Sequence, residues 1–399
     1  MILNLLLGAF AALSLVLLLW QWFAARRFPL HQRQGETSGT RPAITLFKPL
    51  KGCDAATEPC LRSWFTQDYS GEIQLLFAVV SHDDPVCEVV RKLIREFPDR
   101  DAELIVVSSL MGANAKVSKL AELEKRAKHE VICISDADVR VPLDFLSEAV
   151  APLRQPEIGL VNCFYRLANP STLAMRWEAI AINSDFWSQV LQSKTLKPLD
   201  FALGAVMLTR RQQLNEIGGF AGLADCLADD YQLGNRIARK GHRIALCPVV
   251  AECWDPPMTW RAVWKHQLRW ARTIRVCQPT PYFFSILSNP TLWPLIWAAT
   301  VPSRISLGGL VLALILRMVA AIDLQQRLTR SFAHAAFAWL APIKDLLQTA
   351  IWLSAFTGNT VEWRGQKFFL RRDGTLTPAK VEVGNPISER NSNAELRGD

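Results

Sequence analysis

The sequence lacks the signatures that most directly announce a nucleotide-binding or metal-stapled fold. No G-x-G-x-x-G and no G-x-x-x-x-G-K-[ST] occurs, so nicotinamide and P-loop readings lose their main support. Nine cysteines are scattered without one C-x-x-C pair. That odd count argues against a disulfide framework or a structural zinc site and for reduced, mostly buried thiols in a cytoplasmic setting. No aromatic-basic RNA signature or recognition-helix motif is present, so nucleic acid is not an expected partner. What the 399 residues do have is a hydrophobic half, a modest net charge of +8 and fourteen tryptophans. That combination suits a protein working against a membrane surface, with material for a soluble core and membrane segments alike.

Residues 2–25 carry no charged side chain. As a helix they cover about 35 Å, enough to cross a bilayer, and define an N-terminal transmembrane helix (1–25). A cleaved signal peptide fits poorly, because no basic segment precedes the apolar run and no small-residue cleavage site follows it. Trp20 and Trp22 sit where an interfacial belt lies, and Arg26 and Arg27 follow at once, which places the next segment in the cytoplasm. Three further apolar stretches, 284–300, 307–321 and 332–356, fill a C-terminal membrane region (281–357), the first broken by prolines and the last interrupted by Lys344 and Asp345. The closing basic tail (358–399) belongs on the cytoplasmic side, so one of the three stretches is expected to be re-entrant or interfacial. The expectation is a multi-pass integral membrane protein with its working domain on the cytoplasmic face, the inner membrane in a bacterium.

Between these regions, residues 41–257 alternate strands and helices. "AITLF", "IQLLFAVV", "ELIVV" and "VICIS" are short apolar runs suited to a sheet covered on both faces, and helical patterns at 58–66, 86–97 and 115–128 separate them. That order predicts an α/β fold with a mostly parallel, doubly wound sheet, in which ligands bind beyond the carboxyl ends of the strands. Acidic clusters fall at two of those ends, "SHDDP" and "DAD". A D-x-D in a loop is commonly only a turn. At a strand end, however, Asp136 and Asp138 could clamp Mg²⁺ or Mn²⁺ against diphosphate oxygens, since such hard cations accept one or two carboxylates plus phosphates.

The motifs "LFKPLKGCD", "SHDDP", "GANAKVSKL", "ISDADVR", "LADDYQLG", "HQLRW" and "WRGQKFFLRRDGT" follow one another in the order and spacing of the ceramide glucosyltransferases. The chain resembles these membrane enzymes of the inverting GT-A type over nearly its whole length. The resemblance implies a Rossmann-like GT-A domain between membrane helices, a UDP-sugar donor and a membrane-lipid acceptor. It also implies roles: Asp84 in the nucleotide pocket, Asp136 with Asp138 at the cation and sugar diphosphate, and Asp230 as general base. Lys51 lies in the first loop near the nucleotide, and Lys116 is a candidate phosphate contact; a solvated surface position is the competing reading for both lysines. Inversion at an anomeric carbon independently asks for a base beside the acceptor and positive charge beside the departing UDP. Asp229 could raise the pKa of Asp230 by like-charge repulsion, and both could also serve the start of the helix that follows.

The stretch 258–280 places Trp260, Val263, Trp264, Leu268, Ala271 and Ile274 on one helical face and Arg261, Lys265, Arg269, Arg272 and Arg275 on an adjoining one. That pattern predicts an interfacial amphipathic helix, apolar side in the headgroup boundary and basic side toward anionic phosphate. The family carries (Q/R)-x-x-R-W here, expected over the diphosphate and acceptor; this chain keeps Arg269 and Trp270 but has His266 first. It also lacks a histidine in "RWEAIAINSDFWSQVLQ", where animal members carry one; Glu178 and Asp185 there could face an acceptor channel, but placement on the helix surface is the preferred reading. The leading reading is transfer of glucose or a related hexose to a lipid hydroxyl, with ceramide as acceptor. The alternatives are a hopanoid N-acetylglucosaminyltransferase, which looks similar over the same stretches, a processive polysaccharide synthase, or a non-catalytic membrane protein.

Overall fold

A long apolar helix, α1 (Ile2–Arg27), leads into an alternating series: β1 (Ile44–Pro49), α2 (Thr57–Phe65), β2 (Ile73–Val79), α3 (Val86–Glu96), β3 (Asp101–Val106), α4 (Ala115–Arg126) and β4 (Val131–Ser135). These elements come from a computed structural model, which describes residues 1–33, 41–363 and 366–378. β1, β2 and β4 are buried at every position, which is why their sequences are continuous apolar runs and not alternating ones. Alternate residues feed two layers: Phe47, Leu76, Ile132 and Ile134 face one, and Leu46, Leu75, Phe77 and Cys133 the other. β3 is the edge strand and is correspondingly charged, with Asp101 paired to Lys128 at 2.7 Å and Glu103 to Arg126 at 3.1 Å.

The chain continues through β5 (Val139–Arg140), α5 (Phe145–Val150), β6 (Ile158–Leu167), α6 (Leu173–Ile180), a π-helical turn at Ala181–Phe186, and α7 (Trp187–Leu196). Then come β7 (Val206–Arg210), α8 (Arg211–Glu216), α9 (Asp229–Arg239) and β8 (Arg243–Cys253). The sheet has the order β3-β2-β1-β4-β7-β6-β8-β5, with β7 and β5 antiparallel to their neighbours. β1 lies between β2 and β4 and parallel to both. The strand order therefore reverses at β1, and the loops leaving β1, β2 and β4 open around one crevice.

The C-terminal region contains α10 (Trp260–Cys277), α11 (Pro279–Phe284), α12 (Leu292–Thr300), α13 (Arg304–Thr329) and α14 (Leu340–Ala355). A small antiparallel sheet follows, β9 (Thr360–Trp363), β10 (Gln366–Leu370) and β11 (Leu376–Pro378). Among the described residues, α1 and α13 are the two helices long and apolar enough to cross a membrane. Both leave apolar side chains exposed, among them Leu5, Leu13 and Val16 on α1 and Leu307, Val311 and Ile315 on α13. They pack together: Trp22 Nε1 donates to Asp323 at 2.6 Å, and Ala25, Leu324 and Leu328 enter the core under the sheet. The first C-terminal stretch is split by a 3-10 turn at Ser285–Ser288 and by Asn289 and Pro290, so only the nine-residue α12 runs beside α1. The last stretch is cut to α14, sixteen residues long.

The polar residues within α14 are held inside the protein. Arg317, in the middle of α13, donates to both oxygens of Asp185 at 3.0 and 2.8 Å and to both of Asp345 at 2.9 Å, while Lys344 reaches Asp185 at 2.7 Å. All four side chains are buried. Asp185 is thus not the helix-surface residue its sequence suggested; the wide π turn carries it inward to α13. Removing one member of such a cluster leaves buried charge uncompensated, at a cost of about 3–5 kcal/mol. Arg317→Met is therefore expected to lower the thermal unfolding midpoint in detergent markedly, and an unchanged midpoint would show that the cluster holds nothing together.

Candidate active site

The site begins with three loops at the carboxyl ends of parallel strands. After β1, Gly52 turns with φ of 73°, and its N–H donates to both oxygens of Asp84 at 3.0 Å. Asp84 also accepts from the Val86 N–H at 3.1 Å, so it ties the β1 loop to the start of α3. Lys51, beside this turn, is exposed. After β4 come Asp136 and Asp138. Beneath them lies Lys48 of β1, fully buried, donating to Ser135 Oγ at 3.2 Å and to the Asp136 carbonyl, with its ammonium 5.0 Å from the Trp64 ring centroid. Burial pulls the Lys48 pKa down to about 8 against the attraction of nearby acids. Lys48 stands inside a motif already singled out, but a lysine in an apolar strand carries no sign of which end of the sheet it serves.

Lys116 is held in place by helix capping. Asn114 precedes α4 and accepts from the N–H groups of Lys116 and Val117 at 3.0 and 3.2 Å, while its amide donates to the Cys226 carbonyl at 2.7 Å. The Lys116 ammonium then lies 2.7 Å from Asp136 and 3.0 Å from Asp229. It is buried, not solvated. Burial by itself lowers its pKa, but the charges of Asp136 and Asp229 outweigh that and raise it, so it stays an ammonium.

Asp229 and Asp230 open α9, whose N-cap is Ala228. Asp229 is buried and Asp230 half-buried, a distinction the sequence did not provide. One Asp230 oxygen accepts from the Tyr231 N–H at 2.8 Å. The other points at Gly204, where a Cβ would come within 2.6 Å of it. Burial first, and Asp229 second, raise the Asp230 pKa to about 6 against the pull of Lys116. Asp138 rises to about 7, from burial and then from Asp136 and Asp255. The opening thus gathers Asp136, Asp138, Asp229 and Asp230, with Lys116 paired to Asp136 and Asp229 and Lys48 beneath the β4 loop, and Asp138 has no ion-pair partner among the described residues. That donor set fits a divalent cation.

The far wall is α10, and here the structure departs from the sequence reading. Its apolar face packs on protein, Val263 and Ala271 meeting Trp177 of α6 and Ile351 and Ala355 of α14. Its basic face meets the small sheet: Lys265 pairs with Glu362 at 2.7 Å, Arg272 donates to the Thr360 carbonyl and Arg275 to Asn359. Only its ends, Trp260 and Ile274, expose large apolar side chains. An amphipathic stripe reports two environments, and here these are two parts of the same chain. His266 sits 2.8 Å from Glu178, Gln267 donates to the same Glu178 oxygen at 2.9 Å, and the His266 and Trp270 rings lie 4.6 Å apart. Glu178 is completely buried, again not on a helix surface, and its second oxygen has no hydrogen-bond partner. Trp270 continues through Phe186 to Tyr165 of β6, whose pKa burial and nearby acids raise well above the ordinary value. Arg269 is half-buried on the same turn.

The 112–114 and 225–227 loops are fastened by the tail. Leu376 N–H donates to the Asp225 carbonyl at 2.7 Å, Leu227 N–H to the Gly374 carbonyl at 3.3 Å, and Asp225 accepts from the Ala113 N–H at 2.9 Å. Gly374 and Leu376 of the tail therefore brace the loop that leads into α9. Glycine at position 204 is the other constraint on Asp230. Gly204→Ala is expected to push the carboxylate aside and lower the transfer activity by about 100-fold with little change in unfolding midpoint; wild-type turnover would show that the Asp230 position does not matter.

Comparison with known proteins agrees with this architecture. A mannosyltransferase from Pyrobaculum calidifontis, solved in complex with GDP-Man and Mn²⁺, superposes with a TM-score of 0.52 at 22% identity, covering 87% of this chain and 99% of that one. The fold is GT-A. Ceramide glucosyltransferase 3 of Caenorhabditis elegans is 23% identical over 366 residues, 89% of this chain and 78% of the relative. The ceramide glucosyltransferase of Komagataella phaffii is 34% identical over 116 residues, 28% of this chain and 23% of the relative. An N-acetylglucosaminyltransferase of Rhizobium meliloti is 23% identical over 246 residues, 58% of this chain and 55% of the relative. The model of glycosyl transferase family 21 matches residues 6–376, nearly the whole chain, and the protein is a glycosyltransferase of that family.

Proposed function

We propose that the protein transfers glucose, or a related hexose, from a UDP-sugar to a hydroxyl of a membrane lipid with inversion, and that ceramide is the acceptor. The observation that carries the reading is the pair of carboxylate environments in one opening: Asp136 and Asp138 at the end of β4, and Asp230, with its raised pKa, at the start of α9. The names of the ceramide glucosyltransferase relatives support the acceptor class. α1 and α13 then cross the bilayer in the same direction, the segment through α12 that packs along α1 returns the chain between them, and Arg26, Arg27 and the GT-A domain lie on the cytoplasmic face.

In this mechanism Asp84 and the β1 loop with Lys51 line the nucleotide pocket. Asp136 and Asp138 would hold Mg²⁺ or Mn²⁺, which when bound offsets the charge of the diphosphate. Among the described residues no cluster of three metal-ligating side chains forms, so a cation held by these two carboxylates would need phosphate oxygens and water to complete its shell. Lys116 pairs with Asp136 and Asp229, so that the two carboxylates can stand in one opening, and adds positive charge on the leaving-group side. Arg269 and Trp270 close over the diphosphate and acceptor, with His266 turned by Glu178. Asp230 receives the acceptor hydroxyl's proton as the oxygen attacks the anomeric carbon opposite UDP. A carboxylate raised to about 6 is a stronger base than an ordinary aspartate yet remains mostly ionised at neutral pH.

Membranes carrying the full chain should be incubated with radiolabelled UDP-glucose and, in parallel, UDP-N-acetylglucosamine, and their lipids extracted. A labelled glucolipid that falls by about 10²–10⁴-fold in Asp230→Asn, and disappears on thorough chelation, is the expected result. UDP-sugar consumption without labelled lipid would sink the acceptor class, and label from UDP-N-acetylglucosamine alone would reassign the sugar. The pH profile tests the base separately. Asp230 acts when deprotonated, so kcat/KM should rise with unit slope up to about pH 6 and level off above it; a limb centred near pH 4 would remove Asp230 from that role.

A further inference from the structure

Among the described residues, two that are not glycine adopt a left-handed backbone, His31 with φ of 62° and Arg330 with φ of 54°. They belong to one place. His31 follows α1, Arg330 caps α13, and both line a cleft of about 440 Å³ with Leu30, Asp323, Gln326 and Arg327. His31 Nε2 lies 3.0 Å from the Arg327 carbonyl and 3.1 Å from that of Leu328, and Arg330 reaches the His31 carbonyl at 3.4 Å. A left-handed helix cap ordinarily falls to glycine, because a Cβ is crowded there, so an arginine at that position asks for a use of its side chain.

The charges of the cleft are unbalanced. Its one acid, Asp323, already accepts from Trp22 at 2.6 Å and faces Arg26 at 4.0 Å. Arg327 donates one N–H to the Arg26 carbonyl at 2.9 Å, and its Nε is buried with no acceptor. Neither Arg327 nor Arg330 forms an ion pair among the described residues. The negative ends of α1 and α13 explain a nearby arginine. They do not explain a buried Arg327 Nε without an acceptor, or an exposed Arg330 held by a left-handed backbone.

We propose that this cleft binds the phosphate of an anionic phospholipid headgroup, through Arg327 and Arg330 with Arg26 at its rim. The proposal rests on the reading of α1 and α13 as membrane-spanning, which sets the cleft at headgroup depth on the side of the GT-A domain. Planar guanidinium groups match phosphate oxygens in pairs, and the cytoplasmic leaflet supplies such lipids.

The test uses the full chain purified in an uncharged detergent, titrated with dihexanoyl phosphatidylglycerol, dihexanoyl phosphatidylcholine and inorganic phosphate while the unfolding midpoint is followed. The glycerol lipid should raise the midpoint saturably at concentrations where the choline lipid and phosphate do not. Arg330→Gly, which relieves the left-handed backbone and so preserves the fold, should weaken that response about ten-fold, as should Arg327→Gln. Equal responses to the two lipids, an equal response to phosphate, or an undiminished response in Arg330→Gly would overturn the headgroup site. Flotation with phosphatidylcholine vesicles separates the two readings: protein that floats without preferring the glycerol lipid loses only this site, and protein that does not float loses the membrane reading with it.

Discussion

One buried ammonium organises the center of this enzyme. Lys116 stands between Asp136 at the end of β4 and Asp229 at the start of α9, and it is the ion-paired cation of an opening that also contains Asp138 and Asp230. Carboxylates brought this close repel one another, so the β4 loop and the head of α9 can share the crevice only with positive charge between them. The position of that charge is itself inherited. Asn114 caps α4, the Cys226 carbonyl holds Asn114, and the tail sheet holds the 225–227 loop, so a motif near the end of the chain supports a lysine in its first third.

The same electrostatics divides the carboxylates by environment. Lys116 compensates Asp136 and Asp229, whereas Asp138 and Asp230 are left in surroundings that raise their pKa to about 7 and about 6. One of these sits beside the other strand-end carboxylate, where added positive charge would be welcome. The other sits across the opening, against Gly204, where the proposed mechanism delivers the acceptor's proton. Two different demands are met by residues of one type because burial and neighbours differ, not because the side chains do.

The long apolar helices α1 and α13 and the GT-A domain are joined by packing rather than by a tether. Ala25, Leu324 and Leu328 lie in the core beneath the sheet, and the Arg317 cluster locks α13 to α14 and to the π turn. That turn also presents Asn183, which exchanges hydrogen bonds with the backbone of Leu167 at the end of β6, and Phe186, which meets Trp270.

The sheet was legible because burial on both faces forces β1, β2 and β4 to be apolar at every residue, and the helices between them because one buried face repeats every turn. Asp136 could be located because it ends such a strand, and strand ends are where this class of sheet opens. Charged residues were legible only as residues. Lys116 and Glu178 read equally well as surface positions and are buried; Lys48 and Gly204 gave no signal; the basic stripe of α10 read as lipid-facing and instead meets β9. Hydrophobic periodicity records how deeply a segment is covered, which is local. Which charge lies opposite which is settled by segments far apart in the chain, as Arg317 meets Asp185, and therefore only by the tertiary structure.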